Sequence, residues 1–303
     1  MLDAEIAALY QRRDAAGVLP TFAGGPSAAE ARSRYAAFQA LYPKPDFEVA
    51  AIERRTVPGR RGGIPVRVVW PLRPRGTTVV YFHGGGFVVG SADTHLDHAT
   101  RIAASTGAVV VSVEYALAPE HPFPAAWVDA VDAVEHVMDD PEIGGEADRT
   151  AVAGDSAGGN LALGAALHCR DAGRPLLGQL LLYPATDLRL LAAIPSHATV
   201  NGFYAGTDPA VLEDPRVSPV LASHTGLPPT VLSVGSEDFL REDNFGFATA
   251  LERAGVPLRA LVHDGLPHGY FHLGAVSRAA EAACTTVVEA FAELLGDATP
   301  HRP

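Results

Sequence analysis

Short apolar runs alternate with longer amphipathic stretches over most of this chain, and that alternation predicts its elements. Runs rich in Val, Leu, Ile and aromatic residues read as strands near Ile52 to Val57, Val66 to Trp70, Val79 to Phe82 and Ala108 to Val113. Four more follow near Thr150 to Ala153, Leu180 to Tyr183, Thr230 to Val234 and Leu258 to Val262. Helical spacing fills the gaps near Leu96 to Ser105, Ala125 to Met138, Asn160 to Arg170, Asn244 to Ala254 and Ser277 to Leu295. Gly107, Gly173 and Gly255 stand just past three of these helices, where glycine commonly closes the last turn. Strands that alternate with helices predict an α/β protein, a mostly parallel eight-stranded sheet with helices on both faces.

Two stretches leave the alternation. Met1 to about Tyr42 reads as helix in two pieces, split at Gly24-Gly25-Pro26. Asp187 to Pro219 is rich in Pro, Gly and Asp, and is expected to be irregular with Phe203 and Tyr204 exposed. Open α/β sheets bind ligands beyond the carboxyl ends of their strands, so insertions there are expected to form a lid. With no repeat, low-complexity tract or linker, the expectation is one domain over residues 1–303, with helical cap elements at about 1–45 and 187–219.

Composition narrows the partners. A net charge of −12 argues against nucleic acid and against an anionic membrane surface. No apolar run approaches the roughly 20 residues of a membrane span. The first residues carry Asp3 and Glu5 and lack a basic start with an apolar core, so no signal peptide is expected and the cytoplasm is the expected compartment. Cys169 and Cys284 both fall in helical stretches, without metal-ligand spacing, and read as buried thiols.

The chemistry lies in two glycine-rich junctions. Gly154-Asp155-Ser156-Ala157-Gly158 joins a strand to a helix, the sequence form of a turn so sharp that its serine takes a strained backbone angle. Alone this pattern is weak evidence. His83-Gly84-Gly85-Gly86, directly after another strand, strengthens it, because uncovered backbone N–H groups there can converge on an oxyanion. A serine nucleophile needs a base, usually a histidine oriented by a carboxylate. Among the 12 histidines, His268 occupies the turn between the last strand and the last helix, with His263 and His272 as rivals. Asp238 and Glu237 compete for the acid just past the preceding strand, with Asp243 more distant, and Asp155 reads as a structural carboxylate.

These blocks name a resemblance. The chain is similar to the hormone-sensitive-lipase-like esterases of the α/β-hydrolase fold, in His83 to Phe87, in Glu114 to Ala126, in Gly154 to Asn160, and from Leu227-Pro228-Pro229 to His268-Gly269-Tyr270. The resemblance implies Ser156 as nucleophile, His268 as base and Asp238 as its orienting acid. It also implies an oxyanion hole from the N–H groups of Gly84, Gly85 and Ala157, a loop-stabilising His83, and a homodimer in many members. Phe87, Asp155, Phe203 and Tyr204 are the candidate substrate contacts. The chain departs from the family at Ala116, where an arginine is common, and at Phe239, where Asp-Pro-Leu is usual, and its Asp187 to Pro219 insertion is short. The expected activity is hydrolysis of small carboxylic esters of short to medium acyl chains through an acyl-enzyme, with neither metal nor organic cofactor. Amide or N-acetyl hydrolysis, elimination of water, and a non-catalytic small-ligand receptor are the rival readings on the same fold.

Overall fold

The computed structural model describes residues 1–143 and 147–297. Its eight strands are β1 (Ala51–Val57), β2 (Ile64–Trp70), β3 (Thr78–Phe82), β4 (Val109–Val113), β5 (Thr150–Asp155), β6 (Gln179–Leu182), β7 (Thr230–Glu237) and β8 (Leu258–Pro267). They form one sheet in the order β1-β2-β4-β3-β5-β6-β7-β8. β2 runs antiparallel to both β1 and β4, and every pairing from β4 to β8 is parallel. The expected α/β class and eight-stranded sheet are what the chain adopts.

Burial explains which runs look alternating and which do not. β3, β4 and β5 are buried at every position, as parallel strands covered on both faces must be, and their sequences are nearly unbroken apolar runs. Alternate side chains of β3 enter different cores: Val80 and Phe82 join one apolar cluster, Val79 and Tyr81 the other. The first cluster is completed by α4 (Ala125–Asp139), α5 (Ala157–Asp171) and α9 (Arg241–Arg253). The second is completed by α1 (Ala4–Ala15), α3 (Leu96–Thr106) and α10 (Arg278–Asp297). Both cysteines are buried and free.

The N-terminal segment forms α1 and α2 (Ala28–Gln39), the latter started by a reciprocal capping box between Ser27 and Glu30. Arg32 ties α2 to the sheet's carboxyl edge. It donates to Val88 O at 2.9 Å and Ala118 O at 3.1 Å, and holds both oxygens of Glu120 at 2.7 and 2.6 Å.

Residues 187–219 correct the expectation of an irregular stretch. They carry α6 (Leu188–Ala192), α7 (Pro195–Tyr204) and α8 (Pro209–Leu212). The Pro and Asp that look like breakers are starters here: Asp187 and Asp208 accept from backbone N–H groups of the first turn, and Pro195 and Pro209 occupy first-turn positions that need no donor. Tyr204 is not exposed but 1% accessible, its ring stacked on Phe87 with centroids 3.7 Å apart. Among the described residues, no helix is long and apolar enough to cross a membrane.

Candidate active site

β5 ends at Asp155 and α5 begins at Ala157, so Ser156 alone makes the turn, with φ 53° and ψ −114°. Non-glycine residues rarely hold such an angle, and here packing enforces it. A Cβ at Gly154 would lie 2.2 Å from Gly158 O, and one at Gly158 would lie 2.0 Å from Phe82 O. Only glycine lets the helix start this close to two strands. That is why α5 opens three residues earlier than its sequence predicts: glycines in a first turn lower helix propensity, and tertiary contact overrides it.

The register of β7 and β8 brings the other two groups to the serine. Glu237 faces Pro267 across the strands, so Asp238 and His268, each one residue further, emerge side by side. His268 Nδ1 lies 3.0 and 2.9 Å from the two Asp238 oxygens, and its Nε2 lies 2.9 Å from Ser156 Oγ. The Asp238 side chain is fully buried, and its Oδ1 accepts the Leu240 N–H at 2.8 Å. That bond braces the turn where Phe239 replaces the usual proline.

The rivals are directed elsewhere. Glu237 pairs with the Met1 amino group at 2.6 Å, and Asp243 accepts from Thr186 N at 2.8 Å and Thr186 Oγ1 at 2.6 Å. His263 Nε2 meets Ser233 Oγ at 3.0 Å, and His272 Nε2 meets His95 Nε2 at 3.1 Å.

The loop after β3 requires one correction. Gly84 N–H donates to Asp155 Oδ1 at 2.7 Å, so it cannot also serve an oxyanion, and Gly84 does not line the cavity above Ser156. Gly85, Gly86 and Ala157 do line it, and among the described residues none of their N–H groups has an acceptor. The first glycine of the run is thus tied to Asp155, and the next two line the cavity over the serine. Burial alone would push the Asp155 carboxyl up. The charge and hydrogen bonding of His95, with His98 and His272 behind, outweigh it and hold the group well below the usual carboxylate range.

A cavity of about 330 Å³ opens over Ser156, walled by Phe22, Tyr35 and Phe38 from the N-terminal segment and by Leu191 and Val200 from α6 and α7. Phe87 and Asp155 line it as expected, but Phe203 and Tyr204 do not, because Tyr204 is committed to Phe87 and Phe203 packs against the first core. Sequence reading missed Phe239 and His197. The Phe239 ring, 44% exposed, lies between His268 and His197, with centroids 4.5 and 4.3 Å away. Its only signal in the sequence is the departure from Asp-Pro-Leu. Burial, followed by the charge of His268, pushes His197 down to about 4.

Residues 79–272 match a family model described as "alpha/beta hydrolase fold". The chain is 39% identical over 284 residues to the carboxylesterase NlhH of Mycobacterium tuberculosis, covering 87% of this chain and 88% of the relative. It is 34% identical to an ethyl acetate hydrolase of Pseudomonas putida, over 93% of this chain and 95% of the other. Among solved structures, a hyperthermophilic esterase from Pyrobaculum calidifontis superposes with a TM-score of 0.86 at 32% identity, covering 98% of each chain.

Proposed function

Because the chain belongs to the hormone-sensitive-lipase-like esterases of the α/β-hydrolase fold, we propose that it hydrolyses carboxylic esters through an acyl-enzyme formed on Ser156. The observation that carries the reading is the unbroken contact from Asp238 through His268 to Ser156 Oγ. As Ser156 Oγ bonds to the ester carbonyl carbon, its proton passes to His268 Nε2. Asp238 holds the imidazole in the orientation and tautomer this requires. The N–H groups of Gly85, Gly86 and Ala157 receive the negative oxygen, reinforced by the N-terminus of α5, with about 3 kcal/mol of barrier lost per donor removed. The carbon–oxygen bond to the alcohol then breaks, and the alcohol leaves with the proton from His268. Water, deprotonated by the same imidazole, releases the acid and restores the serine.

The volume and aromatic walls of the cavity favour uncharged esters of short to medium acyl chains. The likeness to an ethyl acetate hydrolase supports the same choice. In this reading residues 1–45 and 187–219 cap a single domain, because side chains from both wall the cavity. The test is hydrolysis of p-nitrophenyl esters from acetyl to dodecanoyl by wild type and Ser156→Ala. Turnover that peaks at the short end and falls by about 10⁴ or more in the variant is expected. Undiminished turnover in Ser156→Ala removes the proposal.

A further inference from the structure

Around Asp155, whose Oδ1 holds the glycine loop, stand three imidazoles that take no step in the ester chemistry, and two of them, His95 and His272, also line the cavity. His95, His98, Asp155 and His272 are all buried, and one ligand atom from each lies within 4.8 Å of the others. We infer that these four residues form a binding site for a single divalent transition-metal ion of the zinc class, held by three imidazoles and one carboxylate.

The orientation of the rings carries the inference. His95 turns Nδ1 outward to Thr94 Oγ1 at 2.9 Å and Ser91 O at 3.3 Å, and this leaves Nε2 facing inward. That Nε2 lies 3.1 Å from His272 Nε2 and 3.7 Å from Asp155 Oδ2. His272 turns its other nitrogen, Nδ1, toward Asp97 Oδ2 at 3.8 Å. His98 turns Nε2 toward the same oxygen at 3.9 Å and directs Nδ1 inward, where it meets the Tyr81 hydroxyl at 2.7 Å. Each ring thus has one nitrogen directed to an oxygen outside the cluster and one directed to its centre. Metal-bound histidines carry such an outer oxygen to fix tautomer and ring angle. The His95 ring already has its outer hydrogen bond, and the His98 and His272 rings face Asp97 just beyond hydrogen-bond reach.

Spacing and charge agree. Ligand atoms on a tetrahedral zinc-class ion sit about 3.3 Å apart, for bonds of about 2.0 Å. The 3.1 and 3.7 Å separations bracket that value, and the whole set, which spans up to 4.8 Å, closes on an ion when His98 exchanges the Tyr81 hydroxyl for it and moves inward. Tyr81 keeps its bond to Asp155 Oδ1 at 2.5 Å, leaving Oδ2 as the ligand atom. Two buried carboxylates, Asp97 and Asp155, border the site, and Lys44 pairs with Asp97 at 3.7 Å. Among the described residues, both oxygens of Asp97, His98 Nε2 and His272 Nδ1 are buried without a hydrogen-bond partner, a costly arrangement that a central dication relieves by polarising both rings toward Asp97. Imidazole-rich sites with one carboxylate suit zinc, cobalt, nickel and copper and disfavour magnesium and calcium.

The test measures the metal and not ester turnover, so its outcome is independent of the proposed esterase activity. Protein freed of metal with a chelator is titrated with Co²⁺ and then with Zn²⁺. Binding of one equivalent, with the strong visible absorption of four-coordinate cobalt and its loss when zinc displaces it, is expected. His98→Asn and His272→Asn should each weaken binding by about 100-fold or more, and His263→Asn, outside the cluster, should leave it unchanged. Pale six-coordinate cobalt spectra, no stoichiometric binding, or binding that both cluster variants retain would overturn the site and leave a proton-linked histidine network. The wild-type spectrum decides the matter even if a variant fails to fold.

Discussion

Gly84 and Asp155 are joined at 2.7 Å, backbone N–H to carboxylate, and this one bond fixes the glycine loop after β3 relative to the serine turn. The same oxygen accepts the Tyr81 hydroxyl at 2.5 Å. Asp155→Ala removes the acceptor of both bonds and frees the loop. Its kcat should fall by about 100-fold, as when one oxyanion donor is misplaced, with KM changed far less. Asp155→Asn keeps an acceptor oxygen and should lose less than about tenfold. Steady-state kinetics on p-nitrophenyl acetate checks this, and full kcat in the alanine variant would refute it.

Asp238 and Glu237 are adjacent in sequence but have opposite surroundings, one buried against His268 and the other exposed. Asp238→Asn should lower kcat by about 10⁴, because the amide favours the wrong imidazole tautomer. Glu237→Gln should stay within about twofold of wild type. A reversed order in side-by-side assays would reassign the acid.

Phe239 lies on the rim, tilted between the rings of His268 and of His197 on α7. Phe239→Ala widens the opening without touching a proton path. Relative kcat/KM for octanoyl over acetyl esters should rise by about 5- to 10-fold, the gain expected from space for a methylene or more. An unchanged chain-length profile would show that the rim does not select.

His197 gives the stability profile a sign. Its pKa, lowered by burial to about 4, is below the roughly 6.5 of an unfolded histidine. Above pH 6.5 both states are neutral and stability is intact. Between 6.5 and about 4 only the unfolded chain takes the proton, so stability is lost as pH falls, and the loss is complete below 4. Because the ring is partly solvated, the loss should amount to about 1–2 kcal/mol, less than the full shift implies. His197→Asn should flatten that part of a Tm-against-pH curve. A parallel curve would exclude His197 as the source.

How much of this was legible in the sequence depended on how local the cause was. The strand runs, the serine turn and the two helices before residue 42 follow from neighbours in the chain, and sequence patterns find them. The choice of Asp238 over Glu237 did not follow, because it is set by the pairing of Glu237 with Pro267 across two strands. Gly84 looked like a donor to the reaction because three glycines in a row are equivalent until a carboxylate 71 residues away takes one of them. The helices between residues 187 and 212 were hidden because Asp and Pro mark turns and helix starts alike. The histidine cluster draws on α3, the end of β5 and the turn before α10, and no spacing in the chain reveals it.

The flat stack of Phe87 on Tyr204 has a consequence for traffic through the enzyme. Phe87 follows the glycine run and Tyr204 closes α7, so the roof is fastened to the floor at the point where a swinging flap would need slack. Tyr204 O also accepts the Phe123 N–H at 2.8 Å, a second rivet in the same place. Entry past the rim instead of under a lifted roof is the expected consequence, and new substrate tolerance should be gained by altering the doorway and not by loosening the ceiling.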